Sequence, residues 1–224
     1  KKKNVIRGIP KLEDATNAGT ARSNQCTLIL TEGDSAATTA ISGLKVIGKE
    51  NYGVFPLKGK LINVREHNPQ KVHSNEEIQN IKKILGLQTG VKYENINNLR
   101  YGSVIILTDQ DHDGSHIKGL VMNMFHHEWP ELLEMNYVRS MLTPIIKVFK
   151  GKAEHAFYTI QDYERWAEET PDSSRWRTKY YKGLGTSTSA EAKEYFRNID
   201  THCLTFDFDT EAKENFDLAF NKTR

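Results

Sequence analysis

Three short apolar runs lie in the first half of the chain and predict buried strands. They occupy residues 27–30 (TLIL), 52–57 (YGVFPL) and 104–107 (VIIL). Continuous apolar runs bounded by turn signals are typical of strands covered on both faces, as in a parallel sheet. A fourth strand is predicted over residues 140–150, where Pro144 indicates an edge position or a bulge.

Helix signals alternate with these strands. The first run is followed by small, helix-compatible residues, and a capping box of Ser74 and Glu77 predicts a helix that ends at Gly86. Apolar residues at i, i+3, i+4, i+7 and i+8 over residues 117–125 predict a helix that faces the core. Alternating strands and helices in this order predict an α/β fold with a parallel sheet.

The pattern changes near both ends of the chain. Residues 1–25 are polar and mixed, and we interpret them as a lead-in segment to an α/β domain over residues 26–150. From residue 151 onward, strand-like pieces alternate with helices, and a capping box of Thr188 and Glu191 opens one of these helices. We therefore expect an α+β extension over residues 151–224, with predicted strands at 157–160, 176–182 and 203–209.

Net charge, the length of the apolar runs and the cysteine content each limit the possible functions or location of the protein. The net charge of the 224 residues is only +2, so a nucleic-acid partner would have to contact a local basic patch. No apolar run approaches the ~20 residues that cross a bilayer, so we expect no membrane partner. Cys26 and Cys203 are the only cysteines and lie in no metal-ligand spacing, which indicates a reducing compartment.

Acidic residues follow the first and third apolar runs at the point where each strand ends. Glu32 follows the first run, and Asp109 and Asp111 follow the third. Ligands of open α/β sheets lie beyond the carboxyl ends of the strands, so these side chains should converge if the strands are parallel neighbours. Carboxylates so close together repel one another unless a cation neutralises them, and oxygen ligands suit Mg²⁺. Acidic turns also serve as helix caps, so the metal interpretation depends on both segments together.

Four motifs, taken in order along the chain, resemble the Toprim region of eukaryotic-type type II DNA topoisomerases. EGDSA (32–36), PLKGKLINVR (56–65) and TDQDHDGSH (108–116) resemble motifs that the family shares with gyrase B subunits. KYYKGLGTS (179–187) with EAKEYF (191–196) is similar to the segment that follows in the eukaryotic branch. The resemblance covers nearly the whole chain and implies a Toprim fold, in which helices flank a Rossmann-like parallel sheet.

The resemblance also implies roles for individual residues. Glu32 and Asp109 would hold the Mg²⁺ nearest the reacting phosphate, and Asp109 and Asp111 would hold a second Mg²⁺. Glu32 would also be catalytic, relaying a proton at the 3′-hydroxyl of DNA during religation. Lys60 and Asn63 would contact the DNA backbone. Secondary candidates are further charged residues of the same motifs: Asp34, Lys58, Arg65, Asp113, His116 and Lys182.

The implied activity belongs to a larger protein. The family passes one DNA duplex through a transient double-strand break by tyrosine transesterification, acting on double-stranded DNA in the nucleus as a homodimer. It uses ATP in a domain that we do not recognise in this chain. Lys58 stands where relatives often carry Arg in the pocket of cleavage-trapping drugs, and Lys cannot make the bidentate contacts of Arg.

We expect the chain to end before the winged-helix region that carries the nucleophilic tyrosine of the family. The chain alone should then bind Mg²⁺ and cleave no DNA. Two alternatives stay open at this point. One is a Toprim-type metal nuclease that hydrolyses DNA with water, and the other is a non-catalytic binding module whose acidic residues are structural.

Overall fold

A computed structural model describes residues 5–58, 61–181 and 183–206 of the chain. The strands within these ranges are β1 (Thr27–Glu32), β2 (Tyr52–Leu57), β3 (Ser103–Leu107), β4 (Val138–Met141), β5 (Ile146–Lys150), β6 (Ala153–Phe157), β7 (Arg177–Tyr180) and β8 (Cys203–Thr205). The helices are α1 (Gly33–Ile47), α2 (Pro69–Ser74), α3 (Glu76–Leu85), α4 (His112–Glu128), α5 (Pro130–Glu134), α6 (Ile160–Glu169), α7 (Ser189–Arg197) and α8 (Ile199–His202).

The first sheet has five strands in the order β2-β1-β3-β4-β8. Its first four strands are parallel, and β8 joins the edge antiparallel to β4. Alternate side chains of the two central strands enter different cores, so that Leu28 and Ile106 pack with α3 and α4. Ile29 and Ile105 pack on the opposite face with α1 and α7. The predicted α/β fold with a largely parallel sheet is thereby confirmed.

The second sheet has three antiparallel strands in the order β6-β5-β7. The single strand predicted over residues 140–150 is wrong, because the chain leaves the first sheet after Met141 and enters the second at Ile146. Between them, the Leu142 N–H donates to His202 and the Ile145 N–H donates to Phe157, at 2.7 and 2.9 Å. Pro144 has no N–H to donate, which suits a point where a strand ladder is interrupted.

The strand predicted over residues 157–160 is also misplaced. β6 ends at Phe157, and the Thr159 side chain accepts a hydrogen bond from the Asp162 N–H as the N-cap of α6. β7 (Arg177–Tyr180) lies within the strand predicted over residues 176–182. β8 (Cys203–Thr205) coincides with the first residues of the strand predicted over 203–209. Residues 207–209 lie outside the described part of the chain.

The helix caps are predicted correctly at two of three places. Thr188 and Glu191 form the expected capping box of α7, and Gly86 ends α3 with a left-handed φ of 78°. The cap at the start of α3 is wrong, since Asn75 accepts from the Ile78 N–H while Ser74 ends α2. The Glu77 carboxylate accepts instead from the Lys58 N–H at 3.2 Å.

The described residues of the lead-in segment pack against the α/β domain. Glu13 forms an antiparallel bridge with Val54, and Ala15 is fully buried. The buried Arg100 guanidinium contacts the Asp14 carboxylate at 2.6 Å, and the Tyr101 hydroxyl donates to the same carboxylate at 2.6 Å. The lead-in segment therefore supplies the counter-ion of a buried cation.

A charged network joins the second sheet to α7. The buried Lys147 ammonium on β5 lies 2.7 Å from Glu154 and 3.9 Å from Glu191. The Tyr181 hydroxyl donates to Glu191, and the Lys179 ammonium lies 3.4 Å from the same carboxylate. Glu191 thus links strand residues of the second sheet to the start of α7.

Helix α7 packs closely on α1. A Cβ at Gly43 would lie 2.3 Å from the Phe196 ring, so any larger residue would force the two helices to move apart at this crossing. Through this contact the C-terminal part of the chain docks beside β1. No helix in the described ranges is both long enough and apolar enough to cross a membrane.

Candidate metal centre

Glu32 and Asp109 meet at the carboxyl end of the first sheet. β1 and β3 are parallel neighbours, with Thr31 opposite Leu107, so the two strands end side by side. The Asp109 N–H lies 3.4 Å from a Glu32 carboxylate oxygen, and both side chains are half-buried. The structure thus brings together two residues that are 77 positions apart in the sequence.

The surroundings of Glu32 oppose its ionisation. Burial is the largest cause that raises the pKa of Glu32 above its ordinary value, and the hydrogen bond from the Asp109 N–H lowers it in part. The negative charges of Asp109, Asp111 and Asp113 raise the pKa further. A bound cation would relieve both the desolvation and the repulsion.

The Asp109 carboxylate is held by the backbone of the C-terminal part of the chain. One carboxylate oxygen accepts a hydrogen bond from the Leu184 N–H at 2.7 Å. A Cβ at Gly183 would lie 2.6 Å from the other carboxylate oxygen, and a Cβ at Gly114 would lie 2.0 Å from the Asp109 carbonyl oxygen. Asp109 therefore fits at this position because Gly183 and Gly114 have no side chains.

Asp111 has a different role in the structure. It is the N-cap of α4, and its carboxylate accepts a hydrogen bond from the Gly114 N–H at 2.8 Å. Asp113 and His116 are exposed on the first turns of the same helix, and Asp34 pairs with Lys11 at 2.6 Å. Over residues 5–58, 61–181 and 183–206, no three His, Cys, Asp or Glu side chains are arranged to hold a metal ion.

The chemistry of Glu32 and Asp109 nevertheless fits Mg²⁺. This ion is usually held by one or two carboxylates, together with several waters and substrate phosphate oxygens. The two half-buried side chains supply that number of carboxylates at the carboxyl ends of β1 and β3. The absence of a side chain at Gly183 lets the Asp109 carboxylate keep this position, because a Cβ there would lie 2.6 Å from one of its oxygens.

The basic loop after β2 is fastened to α4. The Asn63 side-chain oxygen accepts from the Asn123 amide at 2.8 Å, and the Arg65 Nε donates to the Asn123 side-chain oxygen at 2.7 Å. Another nitrogen of the Arg65 guanidinium lies 2.5 Å from His126 Nδ1. Asn63 and Arg65 therefore set the position of the loop through the fully buried Asn123.

Two of the proposed DNA-contacting residues, Lys60 and Lys182, lie outside the described residues. Lys58 is exposed at the end of β2. Asn123 and Leu184 are functional candidates that the sequence analysis missed. Asn123 lies off the apolar stripe of the 117–125 helix, so that pattern gave no signal for its burial, and the backbone amide of Leu184 has no side-chain signature.

Comparisons with known proteins agree along the whole chain. Residues 27–142 match the Toprim domain, and residues 141–224 match the C-terminal associated domain of Toprim. The chain is 53% identical to human DNA topoisomerase 2-alpha, over 99% of this chain and 15% of that protein. It is 52% identical to DNA topoisomerase 2 of Bombyx mori, over 99% of this chain and 15% of that protein. The chain therefore spans about 15% of the length of these curated relatives.

A solved structure agrees equally well. It is described as the DNA-binding, cleavage and re-ligation domain of Plasmodium falciparum topoisomerase II, and it is 51% identical to this chain. The TM-score is 0.95, over 99% of this chain and 31% of that one. The chain belongs to the Toprim domain family, and it continues into the C-terminal associated domain of Toprim.

Proposed function

We propose that this chain is the Mg²⁺-binding part of an ATP-dependent type II DNA topoisomerase. The enzyme would pass one DNA duplex through a transient double-strand break that a tyrosine makes by transesterification. The observation that carries the proposal is the meeting of Glu32 and Asp109 at the ends of adjacent parallel strands. The names of the relatives support it, since they are DNA topoisomerases 2.

Glu32 and Asp109 would hold the ion nearest the reacting phosphate. When bound, Mg²⁺ stabilises the charge on the phosphoryl group and on the leaving oxygen. A carboxylate oxygen of Glu32 accepts the proton of the DNA 3′-hydroxyl during religation. Asp109 and Asp111 would hold a second Mg²⁺, and the Gly114 N–H fixes one carboxylate oxygen of Asp111 at the start of α4.

Double-stranded DNA is the proposed substrate. Lys60 and Asn63 are the proposed contacts to its backbone, with Lys58, Lys182 and His116 as secondary candidates. Arg65 is a further secondary candidate, and its hydrogen bonds to α4, like that of Asn63, support a role in holding the loop in place. The whole enzyme would act as a homodimer in the nucleus, use ATP in another domain and bind cleavage-trapping drugs near Lys58.

The proposal can be tested in the intact enzyme by replacing the acids one at a time. Asp109→Ala should lower Mg²⁺-dependent DNA cleavage by more than the roughly 10–100-fold typical of losing a hydrogen-bonded partner of a metal ligand, because Asp109 would itself serve both ions. Asp111→Ala should lower it less than Asp109→Ala does, because Asp111 would serve one ion only, and Asp113→Ala should lower it less than either. The measurement is the rate at which covalent enzyme–DNA complexes form on supercoiled plasmid, with DNA affinity measured in parallel as a control.

A reversed order of these rates would contradict the assigned roles. Mg²⁺-dependent nicking of plasmid by the 224-residue chain alone would favour the metal-nuclease alternative. Unchanged cleavage in all three variants would favour a binding module with structural acids. Glu32→Gln provides a further check, because it should impair religation while it keeps the size of the side chain.

A further inference from the structure

The turn at residues 183–186 touches the candidate metal centre through its backbone. The Leu184 N–H donates to an Asp109 carboxylate oxygen at 2.7 Å, and this contact spans 75 positions of sequence. The neighbouring Gly183 faces the other carboxylate oxygen, where a Cβ would lie 2.6 Å away. The Gly183 φ is −169°, an extended value that any residue can adopt. Glycine is therefore favoured here by the close approach of the Asp109 carboxylate and not by the backbone conformation.

Contacts with the hydrophobic core and with α1 hold this turn in place. Leu184 is buried in the core between the first sheet, α1 and α7. Its carbonyl oxygen accepts a hydrogen bond from the Thr39 hydroxyl on α1 at 3.4 Å. The capping box of Thr188 and Glu191 begins α7 a few residues later. The Leu184 N–H is therefore held in place by the core, and it in turn fixes one oxygen of the Asp109 carboxylate.

We propose that Gly183 and Leu184 are positioning residues that hold the Asp109 carboxylate ready for its metal ion. This inference rests on the proposed function, because it assigns to the turn the orientation of a proposed Mg²⁺ ligand. The N–H fixes one carboxylate oxygen, and the missing side chain at Gly183 leaves space for the other. The C-terminal associated domain thereby contributes to the metal centre through backbone atoms alone.

Two effects of such a hydrogen bond oppose each other. An N–H that donates to a carboxylate withdraws some of its charge, which weakens a metal–oxygen bond. The same N–H removes the rotational freedom that the side chain would otherwise lose on binding the ion. Hydrogen-bonded partners of metal ligands typically contribute about 10–100-fold to metal affinity, so the orienting effect dominates.

Gly183→Ala tests the inference, with Gly185→Ala as a matched control in the same turn. The new Cβ at Gly183 would displace the Asp109 carboxylate, whereas a Cβ at Gly185 would lie 3.5 Å from the Ser35 hydroxyl, an ordinary contact. The probe is Mn²⁺ alone, which takes the same oxygen ligands, titrated into the full chain while free Mn²⁺ is followed by electron paramagnetic resonance. Gly183→Ala should weaken Mn²⁺ binding by roughly 10–100-fold, and Gly185→Ala should leave it unchanged. Melting temperatures without metal should be the same in both variants.

The remaining outcomes separate this inference from the proposed function. Asp109→Asn should also weaken Mn²⁺ binding, and if it does not, the metal centre itself is refuted. If Asp109→Asn weakens binding and Gly183→Ala does not, only the positioning role is wrong. Equal weakening by Gly183→Ala and Gly185→Ala, or a lowered melting temperature in Gly183→Ala alone, would assign the turn a merely structural role.

A second measurement needs no substitution. In a Mg²⁺ titration of the unaltered chain, the amide resonance of Leu184 should shift with the ion, because its hydrogen-bond acceptor becomes a metal ligand. The amide resonance of Gly185 should shift less. A Leu184 resonance that does not respond to saturating Mg²⁺ would overturn the positioning role.

Discussion

The two sheets of this protein are stabilised in different ways. β1 and β3 of the first sheet are aliphatic and buried on both faces, and alternate side chains enter two separate cores. The second sheet encloses a small core of Ile146, Val148 and Phe157, bordered by the rings of Tyr163, Trp166 and Trp176. Its central strand also carries the buried, ion-paired Lys147. The first sheet therefore depends on apolar burial, and the second depends more on rings and charges.

This difference matches what each sheet does for the site. The first sheet provides two rigid strand ends, from which Glu32 and Asp109 project. The second sheet leads through β7 into the 183–186 turn that contacts Asp109. Disturbing the first sheet should therefore destabilise the whole α/β domain, whereas disturbing the second should act on how the extension docks.

The largest expected effect is the loss of an aliphatic side chain from the first sheet. Ile105→Ala should lower the free energy of unfolding by about 2–5 kcal/mol, because it leaves a cavity at a fully buried position of β3. Ile160→Ala on α6 is the matched control, because Ile160 is 56% exposed and should change stability by at most about 0.5 kcal/mol. Urea unfolding would measure both. Similar losses in the two variants would contradict the division between buried and exposed apolar positions.

The second effect is acid sensitivity of the second sheet through Glu191. Burial raises the pKa of Glu191, but hydrogen bonds from Tyr181 and Thr188 and the charge of Lys179 outweigh it, so that the pKa falls from 4.5 to about 2. A depressed carboxyl pKa stabilises the fold above pH 4.5, and the stabilisation is lost as the pH falls from 4.5 through about 2. The loss should be roughly 2–3 kcal/mol.

The measurement is the free energy of unfolding as a function of pH for the unaltered chain and for Glu191→Gln. The variant should be less stable at neutral pH and should lose less stability in acid, since it has no carboxylate to protonate. Glu168→Gln on the exposed face of α6 is the control and should follow the unaltered chain. An acid profile of Glu191→Gln identical to that of the unaltered chain would exclude Glu191 as the titrating group.

The smallest expected effect lies at the contact between the two parts of the chain. Gly43→Ala adds a Cβ 2.3 Å from the Phe196 ring, so α1 and α7 must separate slightly. Overpacking costs about 1–3 kcal/mol, and alanine regains about 1 kcal/mol of helix propensity, so the net loss should be about 1 kcal/mol. Lys45→Ala, on the exposed side of α1, serves as the control. Thermal unfolding compares them, and a stabilised Gly43→Ala would show that the Phe196 ring yields freely.

The sequence predicts the first sheet much better than the second, for a physical reason. Strands buried on both faces must be aliphatic runs, so residues 27–30, 52–57 and 104–107 mark β1, β2 and β3 closely. β6 has the sequence AEHAF and is exposed except at Phe157, so its composition carries no strand signal. β4 and β5 are separated by a change of hydrogen-bonding partners, which a continuous apolar pattern does not reveal.

The same reasoning applies to the candidate site. Glu32 and Asp109 follow strands that the pattern identifies, so their approach could be predicted from the topology of parallel sheets. The helix-capping role of Asp111 was foreseen only as an alternative, because acidic turns serve both purposes. The Leu184 amide could not be predicted, since a contact across 75 positions that uses only backbone atoms leaves no pattern in residue types.

The ion pair between Arg100 and Asp14 limits where a shorter fragment of this protein can begin. The match to the Toprim domain starts at residue 27, but the side chain of Arg100 is only 3% exposed and its carboxylate partner is Asp14. A fragment cut at residue 27 would keep the guanidinium in the interior and discard its counter-ion, a change that typically costs about 3–5 kcal/mol. The folding unit therefore extends at least to Asp14, so a stable fragment has to begin before the first residue of the family match.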